Sequence, residues 1–120
     1  MTDYKKLKSF DERRKESSTM RQKYPNRVCL YLTKSKNSTL PETDKKKYLV
    51  PHDLTIGQVM HVIRKRINIS PKEAIFLFTS NNVCPSTSTQ IGTVYSEHAD
   101  HDGFLYMTYN SESTFGSSQS

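Results

Sequence analysis

Apolar residues recur along this chain in blocks whose period changes from block to block. From Asp3 to Lys23 the sequence is dense in charge, with Phe10 and Met20 as its good apolar anchors at helical spacing. Tyr4 and Leu7 anchor a shorter helix ahead of them, so the segment reads as two thinly amphipathic helices. Tyr24-Pro25-Asn26 is a stop and turn signal. From Arg27 to Thr33 the period becomes two: Val28, Leu30 and Leu32 point one way, Cys29 and Tyr31 the other. Both sets are apolar, so this strand is expected to be covered on both faces. A polar loop from Lys34 to Thr43 leads to a second strand, Lys46 to Val50, antiparallel to the first if the loop makes a hairpin.

Helical spacing returns with Ile56, Val59, Met60, Ile63 and Ile67, opposite Gln58, Arg64, Lys65 and Arg66. Asp53 and Thr55 are its N-cap candidates, and Ser70-Pro71 is expected to close it. Ile75 to Phe78 is wholly apolar and reads as a short central strand. Asn81-Asn82 tolerates positive φ and marks a turn. Ile91, Val94, Tyr95 and His98 space as a last short helix, and Phe104 to Tyr109 as a last strand. The order helix, helix, strand, strand, helix, strand, helix, strand predicts an α+β domain, with a ubiquitin-like β-grasp and two additional N-terminal helices as one topology it permits. The expected organisation is a helical extension over 1–24, a core over 25–110 and a flexible tail over 111–120.

The stretch Asp44-Lys45-Lys46-Lys47-Tyr48-Leu49-Val50-Pro51 changes the picture most. Pro51 has no backbone donor, so it belongs at a strand end or a sheet edge. An edge offers unpaired N–H and C=O groups, and lysines beside it deter aggregation while attracting an acidic chain. The segment is either an ordinary guarded edge or a docking edge for an extended acidic peptide. Charge is unevenly distributed: the net charge is +6, yet every Lys and Arg lies at or before Lys72. That asymmetry suits a basic patch facing an acidic protein or an anionic membrane better than nucleic acid. With 33% hydrophobic residues in 120, one modest core is expected.

Two cysteines, Cys29 and Cys84, make no disulfide framework, and no opening apolar run reads as a signal peptide, so a reducing, cytoplasmic compartment is expected. No local pattern supplies either thiol with a base, and no catalytic residue is expected. His98-Ala99-Asp100-His101-Asp102 lacks the close cysteine pairs of structural zinc and reads as a solvated acidic turn; no metal or cofactor is expected. Gly57, Gly92, Gly103 and Gly116 form no nucleotide fingerprint. A basic nucleic-acid-binding module remains the alternative, with Lys45–Lys47, Arg64–Arg66 and the basic N-terminal segment lining a groove and Tyr31 and Tyr48 as stacking faces. Near the end, Phe115-Gly116 lacks bulk at its second residue. An extended Phe-Gly segment threads a narrow channel and, once cut, presents an unhindered carboxylate.

Taken together, Ser9-Phe10-Asp11-Glu12-Arg13-Arg14, Lys23-Tyr24-Pro25-Asn26-Arg27, Asp44 to Pro51, Asp53 to Gln58, Ile63 to Ile67, Asp102 to Tyr106 and Thr114-Phe115-Gly116 resemble the autophagy ubiquitin-like modifiers, the GABARAP-like proteins. The resemblance implies a β-grasp core behind two N-terminal helices. It implies cleavage after Gly116 by a cysteine protease, activation by an E1-like enzyme, transfer to an E2-like enzyme, and amide linkage to phosphatidylethanolamine on autophagosomal membranes. It also implies that cargo receptors and adaptors dock acidic aromatic-x-x-aliphatic peptides on the edge strand, and that no nucleic acid binds. By matched position, Glu16, Met20, Cys29, Lys47, Leu49 and Phe104 would line an aromatic pocket. Tyr48, Val50, Pro51, Leu54, Val59 and Val62 would line an aliphatic one. Lys45, Lys46, Arg27 and Arg66 would meet the peptide's acids. The chain departs from the family pattern at Cys29, where proline is common, at Val59, Met60 and His61, where aromatics are common, and at Met20, where a β-branched aliphatic is common.

Overall fold

The computed structural model describes residues 3–112. Its elements run α1 (Asp3–Leu7), α2 (Phe10–Lys23), β1 (Arg27–Lys34), β2 (Lys47–Pro51), α3 (Ile56–Ile67), β3 (Phe76–Thr79), α4 (Ile91–His98) and β4 (Leu105–Asn110). The four strands form one mixed sheet in the order β2-β1-β4-β3. β1 pairs antiparallel with β2 and parallel with β4, and β4 pairs antiparallel with β3. This is the β-grasp expected of the sequence, with the two extra helices in front.

β1 is buried on both faces because its alternation feeds two cores. Val28, Leu30 and Leu32 join Ile56, Val59 and Ile63 of α3 and Leu105, Met107 and Tyr109 of β4 in the larger core. Cys29 and Tyr31 join Tyr4, Phe104 and Tyr106 in a smaller aromatic core under the N-terminal helices. Tyr4 stacks on Tyr31 with ring centroids 5.0 Å apart. Thr55 caps α3 in a capping box with Gln58, and Ser9 caps α2 in the same way with Glu12, so each helix start has two backbone donors satisfied by side chains.

Four sequence expectations need correction. β3 is the far edge of the sheet rather than a central strand; β4, which pairs with both β1 and β3, occupies the centre. α3 ends at Asn68, which takes the left-handed conformation at φ 56°, before Ser70-Pro71 is reached. The residues that bury α2 are Arg13 and Ser17; Phe10 is 42% exposed and Met20 half-buried, while Leu7 of α1 projects into solvent and that helix is held by the buried Tyr4 and by the Lys5–Asp100 ion pair. The turn before β4 is not solvated throughout. Asp102 is fully buried, ion-pairs with Arg13, and accepts the Phe104 amide (2.9 Å) and the Tyr106 hydroxyl (2.5 Å). Ser17 donates to the Asp102 carbonyl at 2.5 Å, so α2 is held to the sheet by polar groups from a turn 85 residues away.

Candidate functional site

β2 is an edge, and its register decides which backbone groups are free. Leu32 N–H donates to Lys46 C=O and His52 N–H to Asn26 C=O, which fixes the parity of the β1–β2 ladder. Tyr48 and Val50 then exchange bonds with Leu30 and Val28, while Lys47, Leu49 and Pro51 turn their backbone outward. Pro51 has no N–H, and its carbonyl accepts from Leu54 N–H. The outward donors and acceptors of β2 are therefore those of Lys47 and Leu49.

A cavity opens on each face of this edge. On the face of the N-terminal helices, one of about 380 Å³ is lined by Glu16 and Met20 of α2, Arg27 and Cys29 of β1, Lys45, Lys47, Tyr48, Leu49 and Phe104. On the α3 face, a smaller one of about 160 Å³ is lined by Leu30, Tyr48, Leu49, Val50, Pro51, Leu54, Val59, Val62 and Ile63. The six residues expected for each pocket are thus brought together around one cavity each. Leu30 and Ile63 were missed as its lining. They are core residues in the sequence pattern, and only the position of the opening makes them part of the wall.

The cavities differ in polarity. The larger has a charged rim: Glu16 accepts from Lys47 at 2.9 Å and from the Tyr4 hydroxyl, and the Lys47 ammonium lies 4.1 Å from the Tyr4 ring centre. Burial alone would raise the Glu16 pKa, but the Tyr4 hydroxyl and the Lys47 ammonium outweigh it and hold the carboxyl below its ordinary value. The Tyr4 hydroxyl is pushed well up by burial and by that carboxylate. Cys29 closes the floor; its thiol is buried, and burial pushes its pKa up, away from thiolate chemistry. The smaller cavity is walled by aliphatic side chains and the Tyr48 ring.

Of the four cations expected to meet a peptide's acids, Lys45 and Arg27 line the larger cavity. Lys46 and Arg66 line neither cavity. Lys46 lies 3.7 Å from the Asp3 carboxylate and Arg66 3.3 Å from that of Asp44. Exposed pairs of this kind are worth ~0–1 kcal/mol, so a partner's acid exchanges with them at little cost. Phe115 and Gly116 lie outside the described residues. The nucleic-acid alternative loses one of its two stacking faces, because Tyr31 is 5% exposed and covered by Tyr4. Among the described residues no cluster of three metal-ligating side chains exists.

A family model described as "Autophagy protein Atg8 ubiquitin like" matches residues 12–116. The chain belongs to the Atg8 family. It is a ubiquitin-like modifier of autophagy. It is 48% identical over 113 residues to autophagy-related protein 8 of Mycosarcoma maydis, covering 94% of this chain and 95% of that one. It is 50% identical over 108 residues to autophagy-related protein 8 of Schizosaccharomyces pombe, covering 90% and 88% respectively. The crystal structure of Trypanosoma brucei ATG8 superposes with a TM-score of 0.89 at 39% identity, covering 97% of this chain and 99% of that one. This Atg8-family chain therefore shares its β-grasp and N-terminal helices with a solved relative across nearly its whole length.

Proposed function

We infer that this protein is cleaved after Gly116 by a cysteine protease, activated by an E1-like enzyme, passed to an E2-like enzyme, and joined to phosphatidylethanolamine, and that on the autophagosomal membrane it recruits cargo receptors and adaptors through acidic aromatic-x-x-aliphatic peptides laid along β2. The protein is the substrate of those enzymes and catalyses none of the steps.

The observation that carries the docking half is the placement of two cavities, one with a charged rim and one aliphatic, on opposite faces of an edge with two outward backbone stations. In an extended peptide, residues three apart have opposite parity, so their side chains leave on opposite faces, about 10 Å apart along the strand. An aromatic residue entering the larger cavity thus sends an aliphatic residue three positions on toward the smaller one. The larger cavity sits at the Lys45–Leu49 end of β2 and the smaller at the Tyr48–Pro51 end, so the peptide runs parallel to β2. Acidic residues ahead of the aromatic then face Lys45, Lys46 and Lys47, with Arg27 in the wall of the larger cavity and Arg66 beside Asp44 ahead of the strand. The main-chain bonds supply sequence-independent affinity and the two pockets supply the choice of side chain.

The conjugation half is supported by Thr114-Phe115-Gly116 and by a family match that ends at residue 116. Among the described residues no helix is long and apolar enough to cross a membrane. A diacyl lipid at Gly116 provides the two chains that stable anchoring takes. The test is a reconstituted conjugation assay with protease, activating enzymes and phosphatidylethanolamine vesicles. Wild type should lose Ser117–Ser120 and gain the mass of the lipid, and Gly116→Ala should do neither. A Gly116→Ala protein recovered on the vesicles as fully as wild type would overturn the reading.

A further inference from the structure

A third cavity lies at the pole of the sheet where β1 begins and β2 ends. It measures about 530 Å³ and is lined by Arg21 from α2, Arg27, His52 and, from α4, Thr93, Tyr95 and Ser96, with no carboxylate in its wall. Among the described residues the partly buried Lys5, Arg13, Lys34 and Lys46 pair with the carboxylates of Asp100, Asp102, Glu42 and Asp3, and Arg64 donates to the Ser70 and Glu73 carbonyls, whereas Arg21 has neither kind of partner. Its Nε is buried without a hydrogen-bond partner, an arrangement that costs stability unless a ligand supplies the acceptor. Arg27, the second guanidinium, is exposed, rests over the Tyr24 ring at 5.8 Å and makes no ion pair among the described residues. Two guanidinium groups with unused donors match the oxygens of a phosphate, which accepts paired N–H bonds in their fixed geometry.

The place of the cavity in the fold selects the source of that phosphate. Arg27 also lines the larger docking cavity and lies opposite Pro51 in the sheet register. A peptide running parallel to β2 leaves the edge at Pro51 and His52, beside the third cavity. β4 runs parallel to β1 and ends at Asn110, beyond Lys34, at the opposite pole of the sheet, roughly 20 Å away at 3.3 Å per residue, so the cavity adjoins the exit of the docking edge rather than the end of β4.

We propose that the Arg21–Arg27–His52 cavity is a phosphate site for a docked receptor peptide, taking a phosphorylated side chain that follows the aliphatic anchor. The inference rests on the reading of β2 as a peptide-docking edge. Phosphorylation downstream of the anchor then strengthens receptor binding, separately from acidic residues upstream of the aromatic.

The experiment is a calorimetric titration of the full chain with an acidic Trp-x-x-Leu peptide and a series carrying phosphoserine at successive positions after the leucine. At one register the phosphopeptide should bind about tenfold tighter than its unphosphorylated parent, the effect of a charge-assisted pair. Arg21→Gln and, independently, Ser96→Asp, an exposed position, should abolish that gain and leave the parent's Kd unchanged. Parent binding with no gain at any register, or a gain that survives both variants, overturns the inference alone. Failure of the parent to bind overturns the docking reading and this inference with it. Phosphoinositide vesicles that bind wild type but not Arg21→Gln, with no phosphopeptide gain, would assign the cavity to a lipid headgroup instead.

Discussion

Arg13→Gln is the perturbation that most directly probes how the N-terminal helices are held. Arg13 is 8% exposed and Asp102 fully buried, so their ion pair is shielded from water. Removing the guanidinium leaves a buried carboxylate facing only the Phe104 amide and the Tyr106 hydroxyl. Breaking a buried pair from one side costs about 3–5 kcal/mol. For a chain of this size that lowers Tm by about 10–20 °C. The Arg13 Nε bond to the Lys8 carbonyl, at 3.2 Å, is lost as well, which loosens the α1–α2 junction. The assay is chemical denaturation of wild type, Arg13→Gln, Asp102→Asn and the double variant. The double variant should be less destabilised than the sum of the singles, with a coupling of at least ~2 kcal/mol. Because α2 carries Glu16 and Met20 to the larger cavity, Arg13→Gln should also weaken peptide binding at temperatures where it remains folded. A single-variant cost under ~1 kcal/mol, the value of an exposed pair, with additive singles, would refute the buried-tether account.

Four further outcomes follow from the same structure. Gly103→Ala should destabilise severely: the residue has φ +92°, and a Cβ there would run into the Ser17 hydroxyl that anchors α2; Gly92→Ala, whose Cβ would lie 2.8 Å from the His52 carbonyl oxygen, should also destabilise, and equal Tm values for either variant and wild type would contradict the packing. Asn68→Ala should cost ~1 kcal/mol in chemical denaturation and Asn68→Gly little or nothing, because the C-cap of α3 is left-handed. Burial and the Glu42 carboxylate push the Tyr109 pKa up to about 12 from 10.0, so the folded state holds the proton longer than the unfolded one; that stability is fully present below pH 10 and is lost as pH rises toward about 12, and alkaline denaturation of Tyr109→Phe should show a shallower fall. Thiol-labelling kinetics should separate Cys84, which is exposed, from Cys29, which is buried and should react only on unfolding.

Much of this fold is written in local periodicity. The two-residue alternation of Val28–Leu32 and the helical spacing of Ile56, Val59, Ile63 and Ile67 each report one element and its buried face. Pro51 beside three lysines marks the sheet edge, because a missing donor and clustered charge both disfavour a central position. What local pattern misses depends on partners far away in sequence. Arg13 and Asp102 read as solvated charges, since nothing near either one announces that they bury each other across 89 positions. Ile75 to Phe78 is wholly apolar while Phe104 to Tyr109 carries Thr108 and two tyrosines, yet the pairing of β4 with β1 makes the second central. The walls of the two cavities were legible through the family resemblance, residue by residue, but their placement on opposite faces of one edge is a property of the assembled sheet. Arg21 stood in a charged helix with no feature to set it apart; its lack of a partner emerges only once α2 packs beside β1 and α4.

The account turns on the outward backbone of β2, and amide hydrogen exchange reads it residue by residue. Adding a saturating acidic Trp-x-x-Leu peptide should slow exchange at the Lys47 and Leu49 amides by orders of magnitude, while Tyr48 and Val50, already bonded to β1, change little. Unchanged exchange at Lys47 and Leu49 in a demonstrably bound complex would contradict strand addition and remove the central claim.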